Sequence, residues 1–198
     1  MAVELFCSCG ECRFGLNLNN PHLSLLCGCE DCRQALNWGA SQGGKTPSTL
    51  PELIYARSDI ISVKGKKFMK AYHLREGAKS TRVYCNLCFS VLGVDFPGYL
   101  DNVFMFFKDH CDTSFDVAQL PVAAINMNDL ADLSKVDVPP DVPVFHSFHF
   151  RQEYSRFKAI DAVAQTFKEP DAPAFGQTFR DFIKIIEPVE VLNLEKGA

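Results

Sequence analysis

A chain of 198 residues with 47% hydrophobic side chains and 17 phenylalanines can bury a core of its own, so its nine cysteines are not needed as disulfide staples. The formal net charge of −4, with lysines and arginines spread rather than blocked, excludes an electrostatic partnership with phosphate backbones or anionic lipid; neither nucleic acid nor a membrane is expected as a partner. Residues 1–6 lack the basic start of a signal peptide and no apolar run reaches membrane-spanning length, so a cytoplasmic protein is expected, in which thiols stay reduced and clustered cysteines point to metal.

Taken in order, residues 3–18 read as a strand, a tight turn bearing Cys7, Cys9 and Cys12, and a returning strand through Phe14, Leu16 and Leu18. Asn19-Asn20-Pro21 breaks this hairpin, and Leu23 to Leu26 is a short apolar run. There follows Cys27-Gly28-Cys29-Glu30-Asp31-Cys32-Arg33, three thiols within six residues. Residues 34–53 contain Gly39, Gly43, Gly44, Pro47, Ser48 and Pro51 and read as a flexible loop beside the thiols.

Residues 60–63 and 68–74, either side of Lys64-Gly65-Lys66, predict a β-hairpin. Arg82-Val83-Tyr84, Cys85-Asn86-Leu87-Cys88 and residues 91–94 predict strand, C-x-x-C turn and strand, half of a zinc ribbon. Residues 103–107 are apolar enough for a buried strand, with residues 122–127 a second candidate, and residues 137–143 carry three prolines as a connector. Strand alternation over residues 144–150 places His146 with Val144, Phe148 and Phe150, and His149 on the opposite face with Phe145 and Ser147. Phe175, Phe179, Phe182, Ile183 and Ile186 recur at helical spacing ahead of Pro188 and predict an amphipathic helix over residues 175–187, which caps a sheet or seals a dimer.

Eight of the nine thiols fall in three clusters: Cys7/Cys9/Cys12, Cys27/Cys29/Cys32 and Cys85/Cys88. Each C-x-C or C-x-x-C pair is preset to chelate one ion, and zinc is the expected metal. Cys7 and Cys9 with Cys85 and Cys88 would close one four-thiolate site and leave Cys27, Cys29 and Cys32 as a three-thiolate site. A second partition gives Cys27/Cys29 or Cys29/Cys32 to the Cys85 turn and leaves the N-terminal triad open; spacing does not choose between them. Iron–sulfur ligation is a third option, although the C-x-x-C-x-x-C run followed by Cys-Pro is missing.

These clusters, in this order, resemble the glutathione-dependent formaldehyde-activating enzyme family, which also includes centromere protein V. The resemblance covers residues 7–154. It is carried by Cys7-Ser8-Cys9-Gly10 with Arg13-Phe14, by the Cys27 to Arg33 run, by Arg82-Val83-Tyr84-Cys85-Asn86-Leu87-Cys88, and by a late β segment around Pro143, His146 and residues 148–154. It implies a mainly β protein with a β-tent fold of small antiparallel sheets over residues 1–160, and a C-terminal extension, residues 161–198, whose helix packs on the same domain. It implies two zinc ions per chain: a structural one on Cys7, Cys9, Cys85 and Cys88, and a catalytic one on Cys27, Cys29 and Cys32. The implied activity is that of a carbon–sulfur lyase or synthase joining or separating a small-molecule thiol, glutathione, and formaldehyde. Alternatives are a member diverged to another lyase, hydrolase or isomerase reaction, or a non-catalytic zinc-stabilised interaction module. The chain departs from the family pattern at Cys12, at Phe89, where a glycine normally follows the C-x-x-C, and in its extension.

The chemistry suits such a site. Three thiolates leave Zn²⁺ with a net charge of −1, a poor Lewis acid but a good partner for a fourth, exchangeable thiolate. Proton transfer needs an acid or base, for which Glu30, Asp31, His73, His110, His146 and His149 are candidates, each as readily a surface or satisfied core residue. Arg33 either binds a substrate carboxylate or pairs with a local acid. Cys12 is expected to stand near the first metal as an inert buried thiol, and Cys111 to be a loop cysteine or a reactive thiol near the catalytic metal.

Overall fold

The computed structural model describes residues 3–17, 23–117, 119–186 and 188–196. Leu18, the Asn19-Asn20-Pro21 break and Glu187 lie outside the described residues. The strands are β1 (Val3–Cys7), β2 (Arg13–Leu16), β3 (Leu23–Cys27), β4 (Glu52–Arg57), β5 (Ile60–Lys64), β6 (Met69–His73), β7 (Thr81–Cys85), β8 (Val91–Asp95), β9 (Val103–Phe107), β10 (Cys111–Thr113), β11 (Ala124–Ile125) and β12 (Val189–Val191). The helices are α1 (Glu30–Ser41), α2 (Arg151–Lys158), α3 (Asp161–Thr166) and α4 (Phe179–Lys184). The chain is thus mostly β, in two sheets, with few helices.

One sheet has four antiparallel strands in the order β10-β1-β2-β5. The other has eight, in the order β11-β3-β4-β9-β8-β7-β6-β12, and is mixed: β11 runs parallel to β3 and β12 parallel to β6. The expectation of small antiparallel sheets is corrected to this extent. Strand β9 is buried along its whole length, as a strand covered on both faces must be. Phe104 and Phe106 face the core shared with Leu5, Phe14 and Leu16 of the small sheet; Phe107, Met105 and Val103 face the opposite core, with Leu36 of α1, Phe157 of α2 and Val163 of α3. Three layers result: small sheet, large sheet and helices.

Residues 60–74 do not form a hairpin. Strand β5 pairs with β2 in the small sheet, whereas β6 pairs with β7 and β12 in the large one. The chain changes sheets at Gly65, whose φ of +71° and close approach to Glu11, with that carbonyl oxygen 2.0 Å from where a Cβ would sit, admit only glycine. Residues 34–53 are not a single loop: α1 occupies their first part and β4 begins at Glu52. Cys32, Ala35, Leu36 and Gly39 give α1 a buried face at helical spacing.

Residues 144–150 are not a strand, and the late segment continues into α2 rather than into β structure. Val144 bridges Ala124 once, and then the Glu153 carboxylate accepts the backbone N–H groups of His146 and Ser147, turning the chain into the helix. Phe145 is buried, while Val144 and Phe150 are exposed. Of residues 122–127 only Ala124 and Ile125 are strand.

The C-terminal helix is shorter than its sequence periodicity. Thr178 caps it, accepting the Asp181 N–H, and residues 175–178 are not helical: the chain bends at Phe175, 85% exposed, and Gly176 before Gln177 bridges Ile60. Asp59 fixes this entry, its buried carboxylate accepting the N–H groups of Phe175 and Gly176 and the side-chain amide of Asn17. The helix then inserts Phe179, stacked on Phe104 at 4.7 Å, and Phe182, edge-on to Phe14 at 4.9 Å, between the sheets.

Candidate functional site

The thiol clusters lie on opposite faces of the large sheet. Cys7 ends β1 and Cys85 ends β7, and the turns that follow carry Cys9 and Cys88; the sulfurs of these four lie within 4.8 Å of one another. Cys7 and Cys9 are 3.4 Å apart and Cys9 and Cys85 3.8 Å. A tetrahedral site with Zn–S bonds of about 2.3 Å places its sulfurs about 3.8 Å apart, so the donor set fits a thiophilic metal. Two neighbours favour the thiolate at Cys7 and Cys88, the Cys12 N–H donating to the Cys7 Sγ and the Ser90 hydroxyl lying 3.3 Å from the Cys88 Sγ, whereas hydrogen bonds with Cys12 and Cys7 push the Cys85 thiol up. Hydrogen bonds from Cys12 first, then from Cys85 and Cys88, hold the Cys7 thiol far below its ordinary pKa.

Cys12 itself stays outside the tetrad. It is fully buried, its Sγ is directed to the Gly65 carbonyl, and its thiol is pushed up to about 12, chiefly by its hydrogen bond with Cys7. Cys111 is not a loop residue. It sits on β10 directly opposite Cys7, buried, with its Sγ 3.2 Å from the Val91 carbonyl, and burial pushes its thiol up. Nothing there makes it a nucleophile beside the second cluster.

That second cluster is built differently. Cys27 ends β3, Cys29 is the N-cap of α1, its Sγ accepting the Cys32 N–H at 3.3 Å, and Cys32 lies in the first turn. The three sulfurs lie within 4.8 Å of one another, with Cys27 and Cys32 3.9 Å apart. Gly28 admits no side chain, since a Cβ would stand 2.8 Å from the Asn126 carbonyl oxygen. Hydrogen bonds from Cys29, then Cys32, with a weaker one from Asn126, hold the Cys27 thiol well below its ordinary value against the effect of burial. The end of α1 adds the positive pole of a 12-residue helix. Both clusters could hold a metal ion.

A cavity of about 270 Å³ opens onto this triad. Its wall includes Tyr55 and Tyr99, whose hydroxyls lie 3.2 Å apart, together with Arg82, Asn126, Glu30 and Asp31. Desolvation raises both phenols well above their ordinary range, so each stays a neutral hydroxyl donor at physiological pH. Of the six acid–base candidates, Glu30 and Asp31 line the cavity and the four histidines do not. His73 is bonded to the Ser80 carbonyl, His146 and His149 lie on the turn before α2, and His110 is buried among Phe107 and its neighbours, its pKa lowered by desolvation.

Arg33 does not face the cavity. Its guanidinium is bonded to the carbonyls of Gly28 at 3.1 Å and of Asp129, so it braces the loop after β11 against the thiol turn. Two cations line the triad cavity, Lys196 and Arg82; Arg82 is the one held on the sheet, one strand position from the C-x-x-C hairpin's inward-facing Val83. A charged residue inside an otherwise apolar strand was the signal for it. Tyr55 had no such signal, because in β4 it stands among Leu53, Ile54 and Ala56 like any core aromatic.

No protein-family model matches the chain, and no curated protein matches it significantly. No helix among the described residues is long and apolar enough to cross a membrane.

Proposed function

We propose that the protein is a cytoplasmic, zinc-dependent carbon–sulfur lyase or synthase acting on a thiol–carbonyl adduct, with glutathione and formaldehyde as the reference pair and a β-tent architecture. The observation that carries this reading is the contrast between the clusters: four thiols closed upon one another in one, three thiols facing a cavity in the other. Four protein ligands describe a structural zinc and three an accessible one. Cys7, Cys9, Cys85 and Cys88 would hold the first ion, and Cys27, Cys29 and Cys32 the second.

Zinc bound by three thiolates supplies a charge that favours the ionised form of a fourth, incoming thiol. In the synthetic direction one C–S bond forms as the carbonyl π pair moves to oxygen, and the proton lost by the thiol ends on that oxygen. The Tyr55–Tyr99 hydroxyl pair lines the cavity with Glu30 and Asp31, and in this reading it donates to that oxygen and relays the proton. Leu53, Met105 and Ile125 keep the inner wall apolar.

Metal content of the wild type and of Cys29→Ser/Cys32→Ser, with circular dichroism, is the primary test. Two zinc ions in the wild type, one in a variant that keeps its fold, and loss of catalysed glutathione–formaldehyde exchange in NMR spectra are expected. A variant that unfolds, or a wild type that holds a single ion, makes the triad scaffolding and removes the reading.

A further inference from the structure

Arg82 is 2% exposed and lines the triad cavity, yet among the described residues it forms no ion pair. The two nearby strand and helix acids are already engaged: Asp31 with Arg75 at 2.8 Å and Asp95 with Arg180 at 2.9 Å. Arg82 itself reaches only the carbonyls of Ser80 and Asp31, each at 3.4 Å, and its Nε has no partner. A guanidinium cannot shed its charge in a protein, and a buried charge without an acceptor is costly. With Nε unsatisfied and both terminal nitrogens on long bonds, the guanidinium is a planar donor fork of the kind that takes a carboxylate.

We infer that Arg82 anchors the carboxylate of a small ligand seated against the thiol triad, which makes the cavity a site for anionic thiols. The inference rests on the reading of the triad as facing a ligand. A monoanion is specified because the wall sets three acids, Glu30, Asp31 and Asp129, against two cations, Arg82 and Lys196, and this balance would repel a doubly charged phosphate group. The volume of about 270 Å³ restricts the enclosed part to a small molecule or to one end of a larger one. Arg82 acts here by positioning: it orients the thiol toward the sulfurs by holding the other end of the ligand.

The test is isothermal titration of the purified, metal-containing protein with mercaptoacetate, with 2-mercaptoethanol and with acetate, on the wild type, Arg82→Gln and Arg82→Lys. The wild type is expected to prefer mercaptoacetate over 2-mercaptoethanol by about tenfold or more, as one charge-assisted fork allows. In Arg82→Gln that preference should vanish while 2-mercaptoethanol affinity and metal content stay unchanged; Arg82→Lys should keep part of it. A wild type that binds the two thiols equally overturns the inference without any variant having to fold, and leaves the thiol reading of the triad standing. Equal mercaptoacetate binding by wild type and Arg82→Gln overturns it as well. Acetate binding that depends on Arg82, with no binding of 2-mercaptoethanol, supports the anchor and counts against the thiol reading.

Discussion

Cys29 accepts the backbone N–H of Cys32 on the same sulfur that belongs to the triad, so one atom caps α1 and takes part in the candidate metal site. The two roles separate by substitution. Cys29→Ser keeps a capping acceptor and Cys29→Ala does not, so in metal-free protein the alanine variant should be less stable than the serine variant by about 1 kcal/mol. Urea unfolding measures this, and both variants should lose the same single metal ion in the untreated protein. Equal stabilities would mean that the sulfur contributes nothing as a cap.

Asp59 supplies a pH dependence whose sign is fixed. Burial alone would raise its pKa, but the N–H groups of Gly176 and Phe175 and the Asn17 amide outweigh it and hold the carboxyl below the ordinary carboxylate range. A lowered folded-state pKa stabilises the fold above the unfolded value of about 3.9, and that stabilisation fades as pH falls through and below it. Wild type should therefore lose stability between about pH 5 and pH 3 more steeply than Asp59→Asn. At pH 7 the variant should be weaker by about 2 kcal/mol, the scale of a charge-assisted hydrogen bond. Urea titrations across this range would show parallel curves if Asp59 were not the group.

Phe89 has a φ of 56°, a left-handed conformation that favours glycine. Its ring stacks with Tyr84 and meets Trp38 edge-on, so the side chain offsets its own backbone strain. Removing the ring while keeping a Cβ isolates the strain. Phe89→Ala should be less stable than Phe89→Gly by about 1 kcal/mol in thermal or urea unfolding, although both lose the same packing.

Tyr99→Phe removes one of the two neutral hydroxyls beside the triad and leaves Tyr55 without its 3.2 Å partner. Metal content should not change, and the rate of thiol–carbonyl exchange should fall by about 10²-fold, the lower range for a positioned proton donor. Since both phenols lie above their ordinary values, the wild-type rate should show no ionisation of theirs between pH 6 and pH 9. Unchanged exchange in the variant would place the proton path on Glu30 or Asp31 instead.

What could be read in advance follows from how local each cause is. The β1–β2 and β7–β8 hairpins were legible because a thiol turn and alternating apolar residues sit within about a dozen positions, and β9 because both of its faces are buried. Helix α1 was not, since its cap is a cysteine rather than serine or aspartate and its face ends in Gly39, beside the glycines and prolines that resemble a loop. The sheet change at Gly65 was hidden because the partner of β5 is β2, far back in the chain, whereas β6 pairs with the next strand, β7. Spacing left two partitions of the thiols, and only the three-dimensional grouping separates Cys7 and Cys9 from Cys27, Cys29 and Cys32. Arg33 was a plausible anion binder by sequence until the carbonyls of Gly28 and Asp129 claimed it.

The two thiol groups also differ in when they can be completed. Six of the nine cysteines are made within the first 32 residues, and the triad needs no later sulfur. The tetrad spans the long way: Cys9 must wait 76 residues for Cys85, about 4–15 s at ordinary rates of synthesis. During that interval the emerging chain holds Cys7, Cys9 and Cys12 without their later partners, within reach of the very sulfurs that belong across the large sheet. A ribosome-bound fragment ending before Cys85 is therefore the species in which the wrong partition of thiols competes with the right one.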